Sequence, residues 1–345
     1  MNKNPEIWAL VDDIAGHRNQ VIGVAEALGL PYTIKKIAYN DTAKMPNILK
    51  GANLKTLDKK LSDNLSAPFP DVIISAGRKG VPIIKYIKKQ AKKQERKKVF
   101  ACQIMWPGFP ANGLDLIAVP AHDNLPKIIK NSKKTLITHG APNLVNSQFL
   151  QQEYKIWSRT LGDLPRPKIA VLLGGNSKKI KFSMEDANKI SKQLVKMMNR
   201  LNGSVYIATS RRTEKEFGDF VFYETKRKVG LNIFYHNYNE SKTKANPYYA
   251  LLEAADIIII TADSISMCSE ACSTGKPVFI YQPENTNSSK HKKFIEGLFK
   301  QNYASKFEDA ALSKIDDAMM RNFSNANHYT NPAKKVADKI IERLG

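Results

Sequence analysis

Apolar residues in this chain come in short, nearly unbroken runs such as IWALV at 7–11, VIISA at 72–76, IAVLL at 169–173 and IIIIT at 257–261. A parallel strand covered on both faces reads this way, because neither side of its pleat meets water. The runs predict strands at 7–11, 33–38, 71–76, 99–105, 115–119 and 135–138, then at 168–173, 204–209, 232–236, 257–261 and 277–281. Amphipathic stretches such as 19–28 and 184–201 separate them. Strand and helix in alternation define an α/β chain with doubly wound parallel sheets.

Eleven strands exceed what one twisted sheet usually holds, and LPRPK at 164–168 sets two prolines before a fresh strand. The expected division is therefore a first Rossmann-like domain over 1–165 and a second over 166–330. Residues 331–345 read as a docking helix, with Asn331 as N-cap, Pro332 at the first helical position, and Val336, Ala337, Ile340, Ile341 and Leu344 at helical spacing.

Composition adds a question. The 54 Lys and Arg residues against 32 Asp and Glu give a net charge of +22, which invites a polyanion as partner. Lys supplies 43 of those cations and Asn is also abundant at 27, a skew that an A- and T-rich coding sequence produces by itself. No basic strand interleaved with aromatics and no helix-turn-helix pattern accompanies the charge, so nucleic acid is not the expected partner. Cys102, Cys268 and Cys272 form no CxxC pair and the six histidines include no HExxH, so no metal site is expected. The opening MNKNPEIWALVDD turns acidic before a signal-peptide core can form, and no run approaches ~18 apolar residues; a cytoplasmic location is expected.

Ligands of open α/β sheets bind beyond the carboxyl ends of the strands. In the first half those positions carry Asp12, Asp13, His17, the GRKG of 77–80, His122-Asp123 and His139. In the second they carry GGNSK at 174–178, SRRT at 210–213 and DSIS at 263–266, the last opening a helix that bears Glu270. Gly174 and Gly175 permit close backbone approach, and Asn176, Ser177 and Lys178 can donate to phosphate oxygens. Ser210, Arg211 and Arg212 can bind an oxyanion in a fork. Asp263, Ser264 and Ser266 lie where free helix amides would hold an anion, with Glu270 placed to meet ribose hydroxyls. No GxxxxGK[ST] or GxGxxG occurs, which argues against ATPase and dinucleotide chemistry.

Five blocks in fixed order, WALVDDIAGHRNQVIGVAEALG (8–29), HD (122–123), LLGGNSK (172–178), TSRRT (209–213) and NPYYALLEAADIIIITADSISMCSEACSTGKPV (246–278), resemble the family of the plant elongated-mitochondria fission factor. The resemblance implies a GT-B-like fold with an intervening cleft, a last helix crossing back to the first domain, and glycosyltransferase activity in bacterial members. The donor blocks are also similar to those of the bacterial lipid-linked cell-wall GlcNAc transferase. That similarity implies diphosphate on Gly174, Gly175, Asn176 and Ser177 and ribose on Glu270. The acceptor side departs from the pattern at Asp13, Ile14, Met105 and Trp106, and the later loop at His291, Ile295 and Ser305.

The expected reaction is transfer of a sugar from a nucleoside-diphosphate sugar, as co-substrate with no other cofactor, to an acceptor hydroxyl of a lipid-linked or envelope glycan. Without a DxD triplet, Lys178, Arg211 and Arg212 would carry the leaving-group charge instead of a metal. Asp12 or His17 is the expected base, with His122-Asp123 next. An epimerase on the same fold and a non-enzymatic scaffold for membrane-fission proteins are the rival readings. The stretch 83–98 is expected to turn Ile83, Ile84, Ile87 and Ala91 to a sheet and its lysines to an anionic membrane.

Overall fold

The computed structural model describes residues 5–162, 164–240, 245–308 and 329–345. The chain forms two compact units, one of Met1–Leu144 with Thr330–Gly345 and one of Val145–Tyr329. Each holds a six-stranded, all-parallel sheet.

In the first unit β1 (Ile7–Val11), β2 (Thr33–Lys36), β3 (Val72–Ala76), β4 (Phe100–Ile104), β5 (Leu116–Pro120) and β6 (Thr135–Thr138) lie in the order 2-1-3-4-5-6. Successive side chains of a strand point to opposite faces, and β1 displays this plainly. Ile7, Ala9 and Val11 pack with Val21 and Val24 of α1 (Ala15–Ala27), whereas Trp8 and Leu10 join the cluster containing Ile83, Ile84 and Ile87 of α2 (Val81–Gln94). The apolar stripe of the lysine-rich stretch is thus buried against the sheet, as its spacing requires. The helix is shorter than its sequence pattern, because Arg96 takes a positive φ of 51° and turns 97–98 toward β4. A one-turn helix, α3 (Lys127–Lys130), precedes β6.

The second unit contains α4 (Ser147–Leu161), β7 (Lys168–Leu173), α5 (Met184–Leu201), β8 (Ser204–Thr209), α6 (Lys215–Val229), β9 (Ile233–His236), α7 (Tyr248–Ala254), β10 (Ile257–Thr261), α8 (Ile265–Ser273), β11 (Val278–Tyr281), α9 (Ser289–Lys300) and β12 (Ser305–Lys306). Its strand order is 12-11-10-7-8-9. Ile169, Val171 and Leu173 of β7 pack with Ile190, Leu194 and Met197 of α5, while Ala170 and Leu172 pack with Leu251 and Cys268 from α7 and α8. Ser183 caps α5 in a capping box with Asp186, and left-handed Asn202 ends it, so both helix termini follow from local chemistry.

The chain divides earlier than its proline pair suggests. Leu150 and Leu161 of α4 lie in the second unit's core beside Leu251, and the Leu161 carbonyl accepts from Tyr206 Oη at 2.7 Å and Lys168 Nζ at 3.1 Å. The break therefore falls between Leu144 and Val145 instead of after 165. The terminal helix α10 (Pro332–Leu344) packs in the first unit, where Ala333, Val336, Ala337 and Ile340 share a core with α1, and Asn331 caps it while donating to the Asn143 side chain at 2.9 Å. Among the described residues no helix is long and apolar enough to cross a membrane.

Candidate functional site

In each sheet the strand order reverses beside the first strand of the unit, between β1 and β3 and between β7 and β10. The loops there diverge to opposite faces and leave a crevice, the usual ligand position in such sheets.

At the β7/β10 edge an internal network occupies much of that crevice. The Asp263 carboxylate accepts from the Gly175 amide at 3.0 Å, Thr261 Oγ1 at 2.7 Å and Arg212 Nη2 at 2.7 Å, and the Gly174 amide donates to Thr261 Oγ1 at 2.7 Å. Burial pushes the Asp263 carboxyl up; the Gly175 amide, the Thr261 hydroxyl and Arg212 oppose that shift. The two glycines are needed because a Cβ on Gly174 would lie 1.9 Å from Asp263 Oδ1 and one on Gly175 would lie 1.9 Å from the Arg212 carbonyl. Their amides are thus spent on protein atoms, which corrects the expectation that they point at a ligand.

Asn176 and Ser177 are structural too. Asn176 donates to Glu214 at 2.5 Å and accepts from the Phe182 amide at 2.8 Å, while Ser177 Oγ accepts from the Ile180 amide at 3.1 Å. Ser210 pairs with Thr213, whose hydroxyl is bound to the Gly174 carbonyl at 2.6 Å. Ser264 caps α8 through the Met267 amide at 3.3 Å. The donors left over are the Lys178 and Arg211 side chains, both exposed and without a partner among the described residues, the rest of the Arg212 guanidinium, the Ser266 hydroxyl, and the α8 amides of Ile265 and Ser266, which have no intrahelical acceptor. The uncommitted donors therefore lie at Lys178, the arginines and the α8 terminus, not on the loop glycines. His291, which sequence reasoning noted only as a departure, joins this edge. Its Nδ1 lies 2.7 Å from Ser288 Oγ, its ring meets the Asp263 backbone, and burial pulls its pKa down.

Glu270 is sealed inside the second unit, only 4% exposed. Tyr248 Oη donates to its Oε2 at 2.7 Å and Tyr249 Oη to its Oε1 at 3.3 Å, and burial pushes the carboxyl up to about 7. It offers no open face to a ribose. Lys276 is likewise drawn inward, donating to the Leu252 and Glu253 carbonyls at 2.7 Å and 2.5 Å, and burial lowers it to about 8. Cys102, Cys268 and Cys272 are free and buried, as packing residues would be.

The β1/β3 edge holds a carboxylate–imidazole pair. Asp12 Oδ2 lies 2.9 Å from His17 Nδ1, and Asp12 Oδ1 accepts from the Ile14 amide at 3.1 Å. The imidazole lies over Gly77 (φ 73°), where a Cβ would stand 2.6 Å from its Cε1. A carboxylate on Nδ1 favours the tautomer with Nε2 as base, and Nε2 has no protein partner among the described residues. Tyr39, its pKa raised by burial and by Asp12 and Asp13, lies beside the pair. His122 is buried, at 4.0 Å from Asp123.

Next to this pair the segment before Lys50 is tied to the β3 loop. Asn47 Nδ2 donates to the Arg78 and Pro107 carbonyls at 3.1 Å and 3.2 Å, and Arg78 donates to the Met45 carbonyl at 3.2 Å. Lys50 is buried on carbonyl and amide oxygens, its pKa lowered by burial and by Arg78 and Lys79. Met45, Ile48 and Leu49 of this segment are exposed, as is Phe109, two residues beyond Pro107.

Two parallel Rossmann-like units, each with its polar groups at the topological switch, define a GT-B-like fold. Consistent with this, the chain aligns over 98% of its length with 99% of UDP-GlcNAc 2-epimerase from Methanocaldococcus jannaschii, at 13% identity and a TM-score of 0.56. Residues 15–344 match the family described as Mitochondrial fission ELM1, and the chain belongs to that family. It is 33% identical to protein RP120 of Rickettsia prowazekii (strain Madrid E), over 97% of each chain. With the Mitochondrial fission protein ELM1 of Arabidopsis thaliana it shares 27% identity over 61% of this chain and 51% of that one.

Proposed function

We propose that the protein is a glycosyltransferase that takes a nucleoside-diphosphate sugar on its second unit and delivers the sugar to an acceptor hydroxyl bound by the first. The observation that carries this reading is the pairing of Asp12 with His17 at a topological switch, a base held in its acceptor tautomer. Breaking the sugar–phosphate bond leaves negative charge on the diphosphate, and Lys178, Arg211, Arg212 and the free α8 amides offset it. His17 Nε2 takes the acceptor proton, and Asp12 stabilises the imidazolium that forms. Exposed Met45, Ile48, Leu49 and Phe109, on segments tied to the loop that carries Arg78 and Lys79, suit an amphipathic, anionic acceptor such as a lipid-linked glycan.

A second reading is supported by the solved relative, an epimerase of a nucleotide sugar by name. An NDP-sugar epimerase would need no acceptor. Incubating the protein with a panel of nucleotide sugars, alone and with lipid-linked acceptors, separates the two: transfer requires the acceptor, and epimerisation appears without it. The absence of calorimetric binding to every nucleotide sugar would leave a non-enzymatic scaffold as the better reading of the family.

A further inference from the structure

The amino-terminal ends of β3, β4 and β5, opposite the Asp12–His17 edge of the same sheet, surround a cavity of about 760 Å³. Its walls carry Lys88, Lys89, Lys92, Lys97, Lys98 and Arg343 against two carboxylates, Asp71 and Asp115. The carboxylates are committed. Asp115 holds Lys88, and Asp71 holds Lys97 at 3.1 Å. Arg343 is held through carbonyl oxygens of Asp115 and Lys133, so its charge is not neutralised by its contacts. The ammonium groups of Lys89, Lys92 and Lys98 have no partner among the described residues.

This is a concave feature and not only a charged helix face. Val99, Phe100 and Leu344 contribute apolar surface to the lining. Such walls reduce the water that would otherwise screen the cations. Lys88 and Lys92 stand one helical turn apart with Lys89 between, which directs three cations of α2 to one side. Lys98 approaches from the loop into β4 and Arg343 from the end of α10. A single phosphate needs only one or two of these groups, and the volume is several times that of a phosphate.

We infer that this cavity binds a ligand carrying two or more phosphate groups on one small carrier. That chemistry is found both in soluble polyphosphorylated metabolites and in lipid headgroups with paired phosphates. The site lies at the opposite end of its own sheet from the Asp12–His17 edge and does not depend on the proposed reaction.

The experiment uses the full chain at ~0.15 M salt, where diffuse surface attraction is screened. The soluble probe is inositol hexakisphosphate, measured by calorimetry. The membrane probes are phosphatidylcholine vesicles containing cardiolipin, which pairs two phosphates in one headgroup, or phosphatidylglycerol at equal surface charge. The test variant is Lys89→Glu/Lys92→Glu/Lys98→Glu, with a neutral Lys89→Gln/Lys92→Gln/Lys98→Gln companion. Lys155→Glu/Lys192→Glu/Lys300→Glu, exposed in the second unit, is the charge-matched control. The inference expects binding of the soluble probe, or a preference for cardiolipin over phosphatidylglycerol, whichever source applies. It also expects the cavity variant to lose on the order of 100-fold in affinity, the control to keep it, and nucleotide-sugar binding to stay unchanged in both. Equal losses in the two charge-reversed variants, equal binding of the two vesicle types without soluble binding, or no binding of any probe would overturn it.

Discussion

Gly174 and Asp263 lie so close that the smallest side chain on the glycine would put its Cβ 1.9 Å from the carboxylate oxygen Oδ1. The buried carboxylate cannot retreat, because Gly175, Thr261 and Arg212 all hold it. Gly174→Ala is therefore expected to destabilise the second unit by about 2–3 kcal/mol, as overpacking against fixed atoms does. Urea unfolding of Gly174→Ala, Asp263→Ala and the double variant checks this. The double should be clearly less destabilised than the sum, since removing the carboxylate removes the clash. A fully stable Gly174→Ala that has lost only nucleotide affinity would mean that the glycine faces a ligand instead.

Arg211 and Arg212 are adjacent in sequence and unlike in role. Arg211 is exposed and has no partner among the described residues, so Arg211→Ala should leave stability within ~0.5 kcal/mol of wild type and weaken nucleoside-diphosphate binding about 10-fold. Arg212→Ala removes the cation paired with Asp263 and should also cost about 1–3 kcal/mol of stability. Thermal unfolding and calorimetry on the same two preparations distinguish the outcomes; equal stability loss in both would contradict the assignment.

Much of this architecture is legible in the residues themselves. The near-continuous apolar runs mark eleven strands to within a residue or two at most ends, and Ser183, Ser264 and Asn331 announce three helix starts. The twelfth strand, Ser305–Lys306, is two polar residues long and leaves no pattern to read. The α4 sequence shows an amphipathic helix but not which sheet it covers, which is why the division at Leu144 differs from the one the prolines suggest. The site was legible as a set of loops and not as a set of roles. Gly175 meets Asp263 across 88 residues and Glu270 meets Tyr248 across 22, and no local spacing reveals that these polar groups satisfy one another. Asp12 and His17 are the exception. They are five residues apart around one helix start, and that pairing is local enough for sequence to suggest it.

That local pair makes a kinetic prediction. With donor binding on the second unit, His17→Gln should lower turnover by ~10²- to 10⁴-fold while nucleotide affinity stays unchanged. Asp12→Asn keeps a similar shape but loses the charge that stabilises the imidazolium, so it should lower turnover in the same direction, again without a change in donor affinity. Steady-state rates beside calorimetric donor binding provide the check. A fall in affinity matching the fall in rate would place these residues in donor binding rather than in proton transfer.

Glu270 links the second unit's stability to pH. Its carboxyl is pushed up from 4.5 to about 7, chiefly by burial, while the hydrogen bonds from Tyr248 and Tyr249 act in the opposite direction. A carboxyl whose folded pKa lies above its unfolded one favours folding in its protonated form. The contribution is thus fully present below about pH 4.5 and is lost as pH rises through about 7. Two and a half pKa units correspond to about 3 kcal/mol. Glu270→Gln cannot ionise, and it preserves a carbonyl that a tyrosine hydroxyl can reach. The stability of wild type relative to this variant should therefore fall by about 3 kcal/mol between about pH 4.5 and about pH 8. Taking the difference between the two proteins cancels other titrations in that range, including Lys276, which burial lowers to about 8. Urea unfolding of both proteins across this pH range is the measurement. Parallel stability curves would show that Glu270 keeps an ordinary carboxylate pKa in the folded chain, and that its carboxylate is solvated rather than sealed beneath the two tyrosines.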